Sequence, residues 1–168
     1  MGRQASFVAA AVVAAAVAIA PSCTRADDPG LVALGAGAFD FLHNNEATEF
    51  RGEYRFANGL YLLKPLLGVL ATTRSSVYAY GGVRIDWVIA DHYVIMPNAT
   101  VGYYSKGDGK DLGSPVEFKT GAEFAYRFDE GWRVGVAFDH ISNAGLTKRN
   151  PGTESLLLMV SLPINGAP

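Results

Sequence analysis

From Gly30 onward, apolar and polar positions alternate with a period of two, in runs broken by Gly, Asn, Asp and Ser. The clearest run is Val116 to Phe128. Val116, Phe118, Thr120, Ala122, Phe124, Tyr126 and Phe128 alternate with Glu117, Lys119, Gly121, Glu123, Ala125 and Arg127. Successive side chains of a strand point to opposite faces, so this segment has one apolar, aromatic face and one charged face. Phe50, Gly52, Tyr54 and Phe56 alternate in the same way with Glu49, Arg51, Glu53 and Arg55. No segment in this region sustains a helical period.

The pattern predicts eight strands, at 31–41, 47–56, 60–71, 77–89, 93–104, 115–128, 132–142 and 154–164. Pro65 and Pro97 weaken the third and fifth, because proline cannot donate to a ladder. Ala57-Asn58-Gly59, Ala90-Asp91-His92 and Asp129-Glu130-Gly131 read as tight turns. The intervening connections, 43–46, 72–76, 105–114 and 143–153, are mostly longer. Short turns at one end and longer loops at the other are the plan of an outer-membrane barrel. Phe56, Tyr61, Trp87, Tyr93, Phe128 and Trp132 flank the short turns, where an interfacial aromatic girdle belongs.

Alternation alone fits a water-soluble barrel equally well. Three features favour an all-β, eight-stranded antiparallel transmembrane β-barrel of the outer membrane. One is the aromatic girdle. Another is the balanced charge of the other face, which can fill the inside of a small barrel. The third is the N-terminus. Residues 1–26 read as a signal peptide, with Arg3, an Ala/Val run from Phe7 to Ala20, and small residues at Thr24 and Ala26. The run is short for a spanning helix, and Ala20-Pro21-Ser22 before Cys23 fits a lipoprotein motif poorly. Residues 27–168 form one barrel domain. Ile164-Asn165-Gly166-Ala167-Pro168 lacks the terminal aromatic common in such barrels, which runs against this reading.

Cleavage after Ala26 removes the single cysteine, so the mature chain has neither disulfide nor thiol chemistry. It also removes Arg3 and Arg25 from 14 basic residues set against 16 acidic ones. The remaining acidic balance gives no reason to expect nucleic-acid binding.

The last hairpin carries the candidate chemistry. Trp132, Val134, Val136 and Phe138 share an apolar face, which His140 and Ser142 continue. Glu154 opens the apolar face of the final strand, ahead of Leu156, Leu158, Val160, Leu162 and Ile164. Nucleophile, base and acid of a catalytic triad can be assigned to Ser142, His140 and Glu154 respectively. Asp139 is nearer to His140 in the chain, but the pleat turns it into the lumen. Serine and histidine stand about 7 Å apart along the strand, so the imidazole must lean towards the hydroxyl. Asn143-Ala144-Gly145 can offer amides to an oxyanion, with Asn150 as a second candidate. A histidine or glutamate at a barrel rim can equally sit among headgroups, and Ser142 can simply open a loop. Nor does the pattern set the register that would bring His140 to Glu154.

His140-Ile141-Ser142-Asn143-Ala144-Gly145, followed by Asn150 and Glu154, resembles the signature of the lipid A 3-O-deacylase (PagL) family. The specific part of the resemblance covers about the last thirty residues. It implies a carboxylic ester hydrolase that removes the ester-linked 3-hydroxyacyl chain at position 3 of lipid A, without a metal or organic cofactor. It implies that Ser142, His140 and Glu154 are catalytic and that Asn143, Gly145 and Asn150 serve the oxyanion or support the site. Lipopolysaccharide in the outer membrane would be the substrate, with the site towards the outer leaflet. A homodimer stays open.

Lys148 and Arg149 can pair with lipid A phosphates or belong to a solvated loop. His43, in the first loop, can lie near the site or be merely exposed. His92 sits at a short turn, at the wrong end. Gly107-Asp108-Gly109 and Asp111 lack the pattern of a calcium loop. Two other functions fit the generic strand pattern. One is a structural or adhesive barrel without enzymatic activity, and the other is a soluble periplasmic ligand-binding barrel.

Overall fold

A computed structural model describes residues 29–43 and 46–164. The expected signal peptide lies outside the described residues. The strands are β1 (Leu31–Phe39), β2 (Ala47–Arg55), β3 (Lys64–Thr72), β4 (Val77–Arg84), β5 (Trp87–Ile89), β6 (Tyr93–Ser105), β7 (Val116–Arg127), β8 (Arg133–Ser142) and β9 (Thr153–Pro163). Every pairing is antiparallel, neighbours in the chain pair except that β4 skips β5 to pair with β6, and β1 pairs with β9 to close the ring. The short β5 continues the line of β4 along β6, so the wall has eight strand positions.

Most strand ends fall within two residues of the sequence expectation, and two strands depart from it further. The predicted fourth strand is interrupted at Ile85–Asp86. The register runs from Arg84↔Asn98 to Trp87↔Ile95, which sets Ile85 opposite Pro97. Proline has no N–H to give Ile85, and the ladder lapses there. β6 itself passes through Pro97 and runs for 13 residues. The third strand starts at Lys64 rather than 60. Leu60 and Leu63 exchange two backbone hydrogen bonds of 3.0 Å around Tyr61, whose φ is 55°. That tight turn consumes the first residues of the expected strand.

The pleat sorts side chains as the alternation requires. Leu34, Phe50, Leu67, Val101, Phe124, Val136, Leu158 and Leu162 are exposed on the outside. An apolar surface running around the whole molecule is a lipid-facing wall. Inside are buried Glu49, Arg51, Glu53, Arg55, Lys119, Glu123 and Asp139. Arg55 bridges Glu53 at 2.7 Å and Glu123 at 2.6 Å, while Tyr80 donates to Glu53 at 2.6 Å. Arg51 pairs with Glu49 at 2.6 Å and also with Asp139. A buried charge is tolerable only when paired and hydrogen-bonded, and this network meets that condition across strands that are remote in sequence.

Rings gather at the short-turn rim. Phe128 stacks on Trp132 at 3.7 Å between centroids, and Tyr126 meets Phe128 edge-on at 4.9 Å. This is the expected girdle, and it identifies the opposite rim, with its longer loops, as the outer end. His92 lies at the girdle, stacked on Tyr126 at 5.4 Å, with Nδ1 3.1 Å from the Arg127 carbonyl. It is a structural residue there, remote from the last loop.

Candidate active site

β8 alternates strictly through its outer half: Ala137, Asp139 and Ile141 are buried, Phe138 is exposed, and His140 and Ser142 are half-buried. His140 and Ser142 therefore emerge on the lipid side, above Val134, Val136 and Phe138. The register places His140 directly opposite Glu154 of β9. His140 Nδ1 lies 3.0 Å from Glu154 Oε1, with side-chain exposures of 45% and 17%. A carboxylate at Nδ1 favours the tautomer protonated there and leaves Nε2 free to accept a proton. The carboxylate is thus brought to the imidazole by cross-strand pairing, which the alternation alone left open.

Asp139 points the other way. It is fully buried in the lumen, where Arg51, Lys119 at 3.4 Å and Asn98 at 3.2 Å hold it. It cannot reach the imidazole of its neighbour through the wall.

Ser142 shares the outer face with His140, two residues on. The described contacts give its Oγ no hydrogen bond to the imidazole, and such bonds commonly tighten only around substrate. The imidazole also packs against a residue that no pattern in the sequence marks. Gly152, at φ 64°, lies against the imidazole: a Cβ there would stand 2.8 Å from His140 Cε1 and 3.4 Å from Nε2. Both the left-handed backbone and the ring demand a glycine.

The loop after Ser142 is held by its asparagines. Asn143 is buried, and its amide nitrogen donates to the carbonyls of Leu112 at 3.0 Å and Arg149 at 2.8 Å. Asn143 Oδ1 accepts from the Gly145 N–H at 3.0 Å, and Asn150 Oδ1 accepts from the Asn143 N–H at 3.0 Å. The backbone amides of Asn143 and Gly145 are therefore engaged within the loop, and the two asparagine side chains are what engages them. Ala144, at φ 53°, carries no such bond among the described contacts.

Arg149 is exposed and pairs with Asp111 at 2.8 Å, which ties this loop to the one between β6 and β7. The Gly113 N–H, followed by Arg149, holds the Asp111 carboxyl below the ordinary aspartate range. Lys148 is exposed beside it. His43 is not merely exposed. Its Nδ1 lies 3.3 Å from Glu154 Oε2 and 3.2 Å from Asp40 Oδ1. No spacing in the sequence marks that contact, because it joins a loop residue to the far end of the chain.

A family model for PagL, lipid A 3-O-deacylase, matches residues 85–163. Those residues contain the whole of the last hairpin. The chain is similar to the crystal structure of the outer-membrane enzyme PagL, at 20% identity and a TM-score of 0.61, covering 80% of this chain and 99% of that one. It is also similar to a de novo designed transmembrane β-barrel, at 11% identity and a TM-score of 0.59, covering 82% and 96%. A third similar structure is Neisserial surface protein A, at 10% identity and a TM-score of 0.57, covering 82% and 98%. No curated protein sequence matches the chain. At these identities the structures speak for the barrel, and the family match speaks for residues 85–163. The resemblance seen in the last hairpin is thus borne out: the chain is an outer-membrane β-barrel similar to the lipid A 3-O-deacylase (PagL) family.

Proposed function

We propose that this barrel is a lipid A 3-O-deacylase, which hydrolyses the ester of the 3-hydroxyacyl chain at position 3 of lipid A. The observation that carries the reading is the His140–Glu154 pair on the lipid side of the wall, with a serine two residues along on the same face. A nucleophile that opens onto hydrocarbon and headgroups is suited to a lipid ester. The long-loop rim meets the outer leaflet, where lipopolysaccharide resides.

In the first step Ser142 Oγ attacks the ester carbonyl carbon as His140 Nε2 takes the hydroxyl proton. Glu154 stabilises the imidazolium that forms. The tetrahedral intermediate collapses with cleavage of the bond between the acyl carbon and the sugar oxygen, and His140 returns its proton to that oxygen. Water then attacks the acyl-serine, again deprotonated by His140, and the fatty acid leaves as Ser142 regains its proton. No metal or organic cofactor takes part.

The developing oxyanion needs N–H donors. The Asn143 and Gly145 amides can serve once they release the Asn150 and Asn143 side chains, and the Ala144 N–H carries no such bond among the described contacts. Asn143 and Asn150 act as supports that shape this turn. Lys148 and Arg149 reach the phosphates of lipid A, with Arg149 exchanging Asp111 for the ligand. Residues 1–26 are a signal that is removed, leaving 27–168 as the working domain.

Mass spectrometry of lipid A from cells carrying either form tests the reading. Wild type shifts lipid A by the loss of one 3-hydroxyacyl group, while Ser142→Ala inserts normally and leaves lipid A intact. Equal deacylation by both would remove Ser142 from the mechanism.

A further inference from the structure

We infer that His43 is a positioning residue for Glu154: the first loop supplies a second imidazole that holds the carboxylate from the side opposite His140. The inference rests on the deacylase reading of the site.

The turn from Asp40 to His43 is built onto Glu154 before any side chain is considered. Asp40, at φ 59°, donates its N–H to the Glu154 carbonyl at 2.8 Å, and His43 donates its N–H to the Asp40 carbonyl at 3.0 Å. Phe41 packs edge-on against Phe138 at 6.1 Å, anchoring the turn to the outer face of β8 just below His140. His43 is thereby delivered to the carboxylate by backbone and ring contacts independent of its own side chain.

Asp40 Oδ1 and Glu154 Oε2 both lie within reach of the single donor at His43 Nδ1. The first already receives Lys110 Nζ at 2.6 Å and Thr153 Oγ1 at 3.0 Å. The second is buried and has no hydrogen bond apart from this approach. A buried carboxylate oxygen left without a donor is costly, so the proton on His43 Nδ1 does most at Glu154. With Oε1 facing His140 and Oε2 facing His43, the carboxylate is held at both oxygens and its plane cannot turn. The ionisable groups facing Glu154 are then His140 from β8, His43 from the first loop, and Asp40 at the end of β1. Lys110 from the loop after β6 lies behind Asp40 and supplies the cation of the cluster.

The test uses the full barrel refolded in detergent with lipopolysaccharide, comparing wild type, His43→Ala and His43→Asn. The asparagine amide can occupy the place of Nδ1. Two quantities are read: kcat and KM for deacylation, and the NMR resonance of the His140 Nδ1 proton, which reports its hydrogen bond to Glu154. In His43→Ala, kcat falls roughly tenfold with KM nearly unchanged, since only orientation in the transition state is lost. The Nδ1 proton resonance moves upfield as the carboxylate partner swings away. His43→Asn restores most of both. Unchanged kcat and resonance in His43→Ala would overturn the inference, as would a change in KM alone. Should wild type prove inactive on lipid A, the deacylase reading fails, while the His140 Nδ1 proton still decides whether His43 holds Glu154.

Discussion

Asp139 and His140 are neighbours in the chain and lie on opposite sides of the barrel wall. The carboxylate of Asp139 is sealed among Arg51, Lys119 and Asn98 in the lumen, and the imidazole of His140 meets Glu154 on the lipid face. One pleat separates a charge that holds the barrel together from the imidazole we propose as the base.

The two carboxylates therefore fail in different ways. Glu154→Gln is expected to lower kcat on the order of 10³-fold while leaving the barrel as stable as wild type, because loss of the acid misplaces the tautomer of the base. Asp139→Asn is expected to destabilise by about 3 kcal/mol, the cost of breaking one side of a buried ion network. Its residual folded fraction keeps a wild-type kcat. Urea unfolding in detergent, with kcat per folded molecule, separates the two.

Gly152→Ala is expected to damage the reaction more than the fold. The left-handed backbone costs alanine about 1 kcal/mol. The new methyl meets His140 Cε1 at 2.8 Å and pushes the ring from its place. A displacement of about 1 Å at a reacting group can cost 10²-fold in rate. A steady-state assay beside a melting curve checks whether the rate loss exceeds the stability loss.

Asp111, held by the Gly113 N–H and then by Arg149 of the last loop, gives these outer loops an acid sensitivity. The folded carboxyl lies below the ordinary range. Its stabilising contribution is therefore fully present above the unfolded aspartate value of about 3.9 and is lost as pH falls through the lower folded value. The pair is exposed, so the consequence is local. Hydrogen exchange at fixed neutral pH is expected to be faster in the loop 143–152 of Asp111→Asn, with the strands unchanged.

How much of this was legible in the sequence follows from the thickness of the wall. A barrel wall is a single layer, so the pleat alone decides which side each residue faces. His140, Ser142 and Glu154 could be placed outside, and Asp139 inside, from parity. Parity says nothing of register, and the His140↔Glu154 pairing is a matter of register. It says less of loops. The Asp40–His43 turn, the Asn143–Asn150 brace and the glycine at 152 depend on φ angles and long-range contacts that no local pattern encodes. By its missing N–H, Pro97 predicts a weakness in its own strand. The interruption fell instead on the neighbour that needed its N–H, at Ile85.

The central claim is that Ser142 becomes acylated with the help of His140, on the hydrocarbon side of the wall. Labelling the folded barrel in lipid micelles with a long-chain phosphonate ester, followed by peptide mass spectrometry, tests it most directly. The account predicts a single adduct on Ser142 that disappears in His140→Ala and is unaffected in His92→Ala. An adduct elsewhere, or undiminished labelling of Ser142 without the imidazole, would contradict it.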